Sequence, residues 1–370
     1  MSLSAAERER YQRHLALAEI GAAGQEKLKA ARVIVVGAGG LGSPAALYLA
    51  AAGCGTLGLV DCDRVELSNL QRQILFDSSS VTRPKAEAGR ERLASLNPDI
   101  RVVAHALELT AANVATVLQD YDVVLDGSDR LATRYVVNDA CVILGKALVS
   151  AAIHRFEGQL MTYVPGEGPC YRCMFPQVPD GTVGSCAQTG VLGVLPGVLG
   201  TLQATEALKL ITGIGEPLIG RLLTYDALAM AFDEFRVARR SDCAVCGTAP
   251  SITAPRDPPP VVGLRRVDAG ALHELLRTAG ASAPRLVDVR EPQEFTAGHL
   301  AGAVNIPLGQ LPRRLAEIGP ASAPVFICRS GGRSLAACQI ALAAGVAAPT
   351  NLEGGMLAWA AQVDPSIPVL

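Results

Sequence analysis

The sequence has no excess of charge of either sign and no uninterrupted apolar run long enough to cross a membrane. Its 33 lysine and arginine residues nearly balance its 35 aspartate and glutamate residues, which leaves a net charge of −2. This balance argues against a protein that binds nucleic acid or a membrane surface. The two most apolar stretches, 46–60 and 190–211, contain glycines, a proline or charged residues, so we expect both to be buried in a globular fold.

The sequence also lacks the apolar core of a signal peptide near its start, and it has no internal repeat. Its opening residues, MSLSAAERERYQRHL, are polar and charged. Ten cysteines in 370 residues, without a secretory signal, indicate thiol chemistry or metal binding rather than a disulfide framework. We therefore expect a cytoplasmic protein.

Short β-branched runs alternate with alanine-rich, helix-like segments up to about residue 240. This alternation predicts an α/β fold with a mostly parallel sheet and helices on both faces. Residues 248–263, TAPSITAPRDPPPVVG, are rich in proline and cannot build a core, so we interpret them as a linker. We therefore predict a first domain over residues 1–247 and a second, smaller α/β domain over residues 264–370.

A glycine loop follows the first β-branched run, in ARVIVVGAGGLG. Gly37, Gly39 and Gly42 form the pattern G-x-G-x-x-G, with Gly40 inside it. Such glycines permit a tight turn and a close approach of the backbone to phosphate at the start of a helix. Asp61 ends the next run, 19 residues after Gly42, where an acid can accept hydrogen bonds from a ribose. The loop alone does not distinguish NAD from ATP.

Charged residues after Asp61 favour ATP. Asn69, Arg72 and Lys85 follow in order, and cations at this place suit cleavage of ATP because charge builds on the departing pyrophosphate. An NAD-dependent oxidoreductase would need a catalytic histidine or a Tyr–Lys pair, and none follows the loop. A carboxylate at the end of another strand, Asp126 or Asp129, is suited to hold Mg²⁺ beside the phosphates.

Two C-x-x-C pairs are the strongest metal signal. Cys170 and Cys173 form the first pair, and Cys243 and Cys246 form the second. Four thiolates suit tetrahedral Zn²⁺, and a site closed by four sulfurs has no open position for catalysis. The pairs therefore predict a structural zinc that pins the end of the first domain to a central loop.

The second domain contains FICRSGGRSL, in which a strand runs into a loop that begins with Cys328. Backbone amides and arginines around such a loop stabilise a thiolate or a persulfide. A cysteine phosphatase needs C-x5-R, but Arg333 follows Cys328 after only four residues and Ser334 takes the arginine's position. The smaller loop favours a sulfur atom over a phosphate group. Asp288, in DVRE, is expected to stabilise the fold through hydrogen bonds.

Several ordered motifs of the first domain resemble the ThiF/MoeB family, the bacterial relatives of ubiquitin-activating enzymes. These are RYQRHLALAEIG, GAGGLGS, DCDRVELSNLQRQ, the lysine of RPK, and DGSD with RYVVNDAC, which cover residues 8 to about 247. The resemblance implies a Rossmann-like adenylation domain with a structural zinc. It implies ATP-dependent adenylation of the C-terminal glycine of a small ubiquitin-like protein. It places the ribose on Asp61, the phosphates on Asn69 and the catalytic cations Arg72 and Lys85, and magnesium on Asp129.

Three further positions depend on the same resemblance. Arg13 is expected to reach the phosphates bound by the other subunit of a homodimer. Cys186 precedes an apolar, helix-forming run, and its residues alone leave open a nucleophile or a small buried side chain. The family's cysteine for attack on the activated carrier, or for a disulfide relay, lies at this place. Arg130 is a departure, because the family usually has asparagine after the equivalent of Asp129, so Arg130 is not assigned to the site.

The second domain resembles the rhodanese family in LVDVREPQEFTAGHLAGAVNIPL, FICRSGGRSLAACQIAL and NLEGGMLAWAAQ. The whole chain is thus similar to fused adenylyltransferase–sulfurtransferases of the molybdopterin-synthase-activating type. This resemblance implies that a persulfide on Cys328 converts an adenylated sulfur carrier ending in Gly-Gly to a thiocarboxylate. Thiosulfate or a cysteine desulfurase is the expected sulfur donor. The alternatives are an activator that only adenylates, or a tRNA-modifying adenylating enzyme, with a regulatory rhodanese domain.

Overall fold

The computed structural model describes residues 2–176, 190–257, 264–280, 283–319 and 323–369. The described residues form two compact units, one up to residue 257 and the other from residue 264. Cys186 and the last part of the expected linker, 258–263, lie outside the described residues. The limits assigned to the two domains, 1–247 and 264–370, stay predictions. Within the described residues, no helix has the length and apolar character needed to cross a membrane.

The first unit is an eight-stranded sheet covered by helices. Its strands are β1 (Arg32–Val36), β2 (Thr56–Val60), β3 (Arg101–His105), β4 (Val123–Asp126), β5 (Ala147–His154), β6 (Glu157–Tyr163), β7 (Arg221–Asp226) and β8 (Ala231–Arg236). Its helices are α1 (Ala5–Arg10), α2 (Gln12–Leu15), α3 (Gly21–Ala30), α4 (Gly42–Ala51), α5 (Lys85–Leu96), α6 (Val114–Leu118), α7 (Leu131–Leu144), α8 (Tyr171–Met174) and α9 (Leu195–Thr212).

The strands lie in the order β3-β2-β1-β4-β5-β6-β7-β8. In this order, the first five strands, from β3 to β5, are parallel to one another, and the last four, from β5 to β8, pair antiparallel. The predicted α/β fold is therefore confirmed, with an antiparallel extension of the parallel sheet. The order in which the strands are added to the sheet switches between β1 and β4. Ligands of such folds bind at this point, at the carboxyl ends of the strands.

The apolar run of β1 is buried on both sides, which explains why it reads as continuous rather than alternating. Val33 and Val35 join one core with Leu49 of α4 and Leu199 of α9. Ile34 and Val36 join the core on the opposite face, together with Tyr135 of α7. Burial on two faces is typical of a parallel sheet between helical layers.

The second unit is a small α/β fold around an all-parallel sheet with the order β11-β10-β12-β13-β9. Its strands are β9 (Arg265–Val267), β10 (Leu286–Asp288), β11 (Val304–Asn305), β12 (Val325–Ile327) and β13 (Thr350–Leu352). Its helices are α10 (Ala269–Thr278), α11 (Pro292–Ala297), α12 (Leu311–Arg314), α13 (Gly332–Ala343) and α14 (Gly355–Gln362). Phe326 faces the core with α13, and Ile327 faces the core with Trp359 of α14.

Candidate functional site

The glycine loop joins the carboxyl end of β1 to the start of α4. Gly37 has φ +86°, a left-handed conformation that side chains rarely adopt. A Cβ atom on Gly42 would lie 1.9 Å from the carbonyl oxygen of Gly37, so only glycine fits there. A Cβ atom on Gly40 would lie 3.0 Å from Pro196 of α9, which packs beside the loop. The loop is therefore closed on itself and brings the start of α4 to the end of the sheet, where an anion is favoured.

Asp61 follows the end of β2 and is tied directly to this loop. Its Oδ2 atom accepts a hydrogen bond from the Ala38 amide at 2.9 Å, and its Oδ1 atom accepts one from the Asp63 amide at 2.8 Å. Burial raises the pKa of the Asp61 carboxyl, although the positive charge of Lys85 opposes this effect. The carboxylate is thus fixed beside the loop, at the place where the sequence predicts the ribose.

Lys85, Asn69 and Arg72, the other residues predicted to contact the nucleotide, have different surroundings. Lys85 begins α5 and is buried, with Nζ 3.2 Å from Oδ2 of Asp63. Asn69 is also buried, and its Oδ1 accepts a hydrogen bond from the Glu66 amide at 3.2 Å. This oxygen therefore stabilises the turn that contains Asn69. Arg72 donates to the Ser68 carbonyl at 3.1 Å. Its Cγ lies 3.6 Å from the position of a Cβ on Gly40, which places Arg72 at the loop.

Gln73, which follows Arg72 in the run after Asp61, also lies at the glycine loop. Its Nε2 lies 3.8 Å from the position that a Cβ on Gly39 would occupy. Gln73 is buried, and its Oε1 has no hydrogen-bond partner among the described residues. A buried amide oxygen without a partner is costly unless a ligand or water completes it.

The two acids after β4 have different environments. Asp126 is buried, and its carboxylate accepts hydrogen bonds from the amide and hydroxyl of Ser128, at 3.0 and 2.7 Å, and from the hydroxyl of Ser150 at 3.3 Å. These contacts give Asp126 a structural role. Asp129 is exposed to solvent. Its carboxylate oxygens are the type of ligand that Mg²⁺ prefers. Arg13 lies exposed on α2, so its role in a second subunit stays a prediction.

The four cysteines of the C-x-x-C pairs come together as predicted. Their Sγ atoms all lie within 4.8 Å of one another, in a buried cluster. Sγ of Cys170 is 3.6 Å from Sγ of Cys243, and Sγ of Cys173 is 3.4 Å from Sγ of Cys246. Four sulfurs at zinc bonding distance from a tetrahedral ion are about 3.8 Å apart. The donor set and its spacing therefore fit zinc.

Groups around the cluster support a metal-bound form. The Arg240 amide lies 3.4 Å from Sγ of Cys173, and Nδ2 of Asn138 lies 3.9 Å from Sγ of Cys170, so both can donate to thiolate sulfur. Burial raises the pKa of Cys173 to about 11. A divalent cation reverses this preference, because a coordinated thiol loses its proton. Cys170 directly precedes α8, and Cys246 lies after β8, so a bound ion would join two segments that are distant in the sequence.

Cys328 follows β12 at the head of the loop that leads into α13. The side chain is buried, and its Sγ lies 3.1 Å from the Gly331 amide and 3.2 Å from the Ser334 hydroxyl. Gly331 has φ +95°, which turns the loop back over the sulfur. The loop thus surrounds the sulfur with donors at short range, as a persulfide requires.

Arg333, which the sequence suggests as a cation near Cys328, forms an ion pair with a carboxylate instead of standing alone. Arg333 forms two short contacts with Glu294 of α11, at 2.5 and 2.6 Å, and both side chains are mostly buried. The sequence did not indicate Glu294, because the two residues are far apart in the chain. Burial alone would raise the pKa of Glu294, but the hydrogen bonds from Arg333 hold it below its ordinary value. The charge of Arg333 is therefore largely balanced by Glu294, and the closest donors to Cys328 are an amide and a hydroxyl.

Asp288 has a structural role, as the sequence suggests. Its carboxylate accepts hydrogen bonds from Nε and Nη2 of Arg290, at 3.0 and 2.7 Å, and both residues are fully buried. Nη2 of Arg290 also donates to the Gly298 carbonyl at 2.7 Å. These contacts connect the end of β10 to the segment after α11.

Known proteins are similar to this chain over both units. The ThiF family matches residues 11–245, and the rhodanese-like domain matches residues 268–362. "Adenylyltransferase and sulfurtransferase MOCS3" of Aedes aegypti is 42% identical and covers 97% of this chain and 88% of its own length. "Probable adenylyltransferase/sulfurtransferase MoeZ" of Mycobacterium tuberculosis is 41% identical, over 99% of this chain and 96% of its own.

Two further relatives match the first unit. "Sulfur carrier protein adenylyltransferase" of Thermus thermophilus is 52% identical over 66% of this chain and 93% of its own. The solved structure of E. coli MccB with MccA-N7isoASN has a TM-score of 0.59 at 25% identity, covering 65% of this chain and 75% of that chain. The chain therefore belongs to the ThiF family and carries a rhodanese-like domain after its ThiF region.

Proposed function

We propose that this chain activates a small ubiquitin-like sulfur carrier with ATP and then transfers sulfur to the carrier's C-terminal glycine. The observation that carries the proposal is the presence on one chain of two chemical sites. One is the glycine loop with Asp61 and Lys85, and the other is the enclosed sulfur of Cys328. Relatives named adenylyltransferase and sulfurtransferase match nearly the whole chain.

In the first step, the carrier's terminal carboxylate attacks the α-phosphate of ATP, and pyrophosphate leaves. The start of α4 and the cations Arg72 and Lys85 stabilise the negative charge that builds on the leaving group. Asp61 orients the ribose through its fixed carboxylate. Asp129 would hold Mg²⁺, which neutralises phosphate charge when bound. The product is an acyl-adenylate, an electrophile held on the enzyme.

In the second step, the outer sulfur of a persulfide on Cys328 attacks the acyl carbon, and AMP leaves. The resulting acyl persulfide yields the thiocarboxylate when a second thiol attacks the Cys328 sulfur and forms a disulfide with it. Cys186 is the second thiol that we propose, and it lies outside the described residues. Joining both activities in one chain raises the effective concentration of the sulfur nucleophile near the adenylate.

The partners follow from this chemistry. The carrier ends in Gly-Gly, and the sulfur donor is thiosulfate or the persulfide of a cysteine desulfurase. A zinc ion held by the four cysteines would stabilise the first domain and would take no part in the reaction. We also propose a cytoplasmic homodimer in which Arg13 reaches the nucleotide of the other subunit.

The proposal is tested with candidate carriers from the host that end in Gly-Gly. With ATP and the cognate carrier, labelled pyrophosphate should exchange into ATP, and the exchange should depend on the carrier's final glycine. With a sulfur donor added, the intact mass of the carrier should rise by the difference between one sulfur and one oxygen. Exchange that does not require any carrier, or a carrier mass that does not change, would contradict the proposal.

A further inference from the structure

One ion pair lies at the end of the first unit's sheet and takes no part in the function proposed above. Nη1 of Arg130 contacts Oε1 of Glu108, and the side chains are 55% and 56% exposed. Glu108 follows the end of β3 by three residues, and Arg130 follows the end of β4 by four. Both residues therefore lie past the carboxyl ends of parallel strands, at the edge of the sheet that carries the glycine loop.

The position of this pair in the sheet is unusual. Strands β2 and β1 lie between β3 and β4. The outer two strands are therefore separated by three strand spacings, about 14 Å. An ion pair that joins the residues after them must cross the ends of β2 and β1. Asp61 follows the end of β2 and Gly37 follows the end of β1, so the pair crosses the two elements that we assign to the nucleotide.

Charges around Arg130 also place it at the mouth of the site. Its positive charge interacts with the Glu108 carboxylate, the Cys62 side chain, and the carboxylates of Asp129 and Asp63. Asp63 is the partner of Lys85, and Asp129 is the acid assigned to magnesium. Arg130 thus lies close enough to both acids for its charge to act on them.

A more ordinary ion pair in the same unit has a different geometry. Glu87 and Arg90 lie one turn apart on α5, 2.9 Å from each other, and are 40% and 47% exposed. That contact connects residues that the helix already holds together. The contact between Glu108 and Arg130 instead connects two separate loops, one after β3 and one after β4.

We propose that Arg130 and Glu108 form a strap that closes over the bound nucleotide and slows the release of ATP and of the acyl-adenylate. The proposal rests on the nucleotide function assigned above. Arg130 acts through its partner as a positioning residue, and neither side chain takes part in the chemical step. Because both side chains are exposed, the strap contributes a modest retention of about two- to fivefold. A strap of this strength still opens readily enough for nucleotide exchange.

The test measures dissociation of the fluorescent nucleotide mant-ATP from the full-length protein by stopped flow. Arg130→Asn and Glu108→Gln should each raise the dissociation rate about threefold, and the double variant should be no faster than either. Exchanging the charges, with Arg130→Glu and Glu108→Arg together, should restore slow release. The difference from wild type should disappear at about 1 M salt, where exposed charges are screened. The control Arg90→Asn, which breaks the α5 pair, should release mant-ATP at the wild-type rate.

Two results would overturn the strap while leaving the proposed function intact. One is mant-ATP binding with unchanged release from both single variants. The other is slower release from Glu108→Gln, because this would mean that Glu108 withholds Arg130 from the phosphates. If the wild-type protein binds no mant-ATP, the nucleotide function itself fails and the strap fails with it.

Discussion

Replacing Gly42 by alanine tests whether the glycine loop is built for a nucleotide. A Cβ atom at this position would lie 1.9 Å from the carbonyl oxygen of Gly37, whereas real Cβ contacts stay beyond 3.0 Å. The loop must therefore move by about 1.1 Å at its tightest point. Because the clash is with backbone rather than a flexible side chain, we expect a loss of at least about 3 kcal/mol.

The size of the effect follows from the size of the unit. For a domain of 150–250 residues, that loss lowers the melting temperature by roughly 6–12 °C. Carrier-dependent pyrophosphate exchange should also fall strongly, because the start of α4 and the amide that binds Asp61 are displaced together. Differential scanning calorimetry of the full-length chain measures the first effect, and the exchange assay measures the second.

Two glycines of the same unit provide matched controls. A Cβ on Gly39 would lie 3.8 Å from its nearest neighbour, so Gly39→Ala should keep the melting temperature while it weakens ATP binding by crowding the phosphates. A Cβ on Gly197 of α9 would meet nothing within 4 Å, so Gly197→Ala should leave the melting temperature unchanged or slightly higher. A wild-type melting temperature and wild-type exchange for Gly42→Ala would refute this account of the loop.

Three further substitutions test separate parts of the molecule. Cys173→Ser should lower the zinc content, measured by elemental analysis, below one ion per chain. It should also lower the melting temperature of the first unit, because structural zinc contributes to folding. Wild-type protein that is purified natively without zinc would contradict this prediction. Asp129→Ala should abolish carrier-dependent pyrophosphate exchange and leave thiosulfate sulfurtransferase activity unchanged, and exchange at the wild-type rate would remove Asp129 from the site. Glu294→Gln should lower the KM for thiosulfate by at least about threefold, because Arg333 then presents its charge to an anionic donor; an unchanged or higher KM would show that Arg333 does not face the donor.

The sequence predicted the local features of the sites because short spacings determine them. Gly37, Gly39 and Gly42 lie within six residues, and only two residues separate the cysteines of each C-x-x-C pair. The preference of zinc for four thiolates predicts that the two cysteine pairs meet. The structure confirms this, because the four Sγ atoms lie together. Asp61 could be assigned because the acid at the end of the second strand of such a fold has one characteristic position.

The sequence could not predict contacts that depend on the order of strands. The contact between Glu108 and Arg130 depends on where β3 and β4 lie in the sheet, which no local pattern shows. Arg333 was expected to act on Cys328, but its partner Glu294 lies 39 residues earlier in the chain. Asp126 and Asp129 are three residues apart with similar sequence surroundings, and only burial distinguishes them.

The same limit applies to the antiparallel strands. The short β-branched runs predict strands, but the direction of each strand in the sheet depends on the turn that precedes it. Strand β6 follows β5 after only two residues, Arg155 and Phe156, and such a short connection can join only antiparallel neighbours.

The central claim is that Cys328 carries the sulfur that the adenylated carrier receives. It is tested most directly by the intact mass of the carrier after incubation with ATP, thiosulfate as the only donor, and the Cys328→Ala variant. Cys338→Ala is the matched control, because burial raises the pKa of that thiol to about 12 and keeps it protonated. We predict that Cys328→Ala leaves the carrier's mass unchanged but keeps carrier-dependent pyrophosphate exchange. Free sulfide should restore thiocarboxylate formation by this variant. Cys338→Ala should convert the carrier at the wild-type rate. Conversion of the carrier by Cys328→Ala at the wild-type rate with thiosulfate alone would contradict the account.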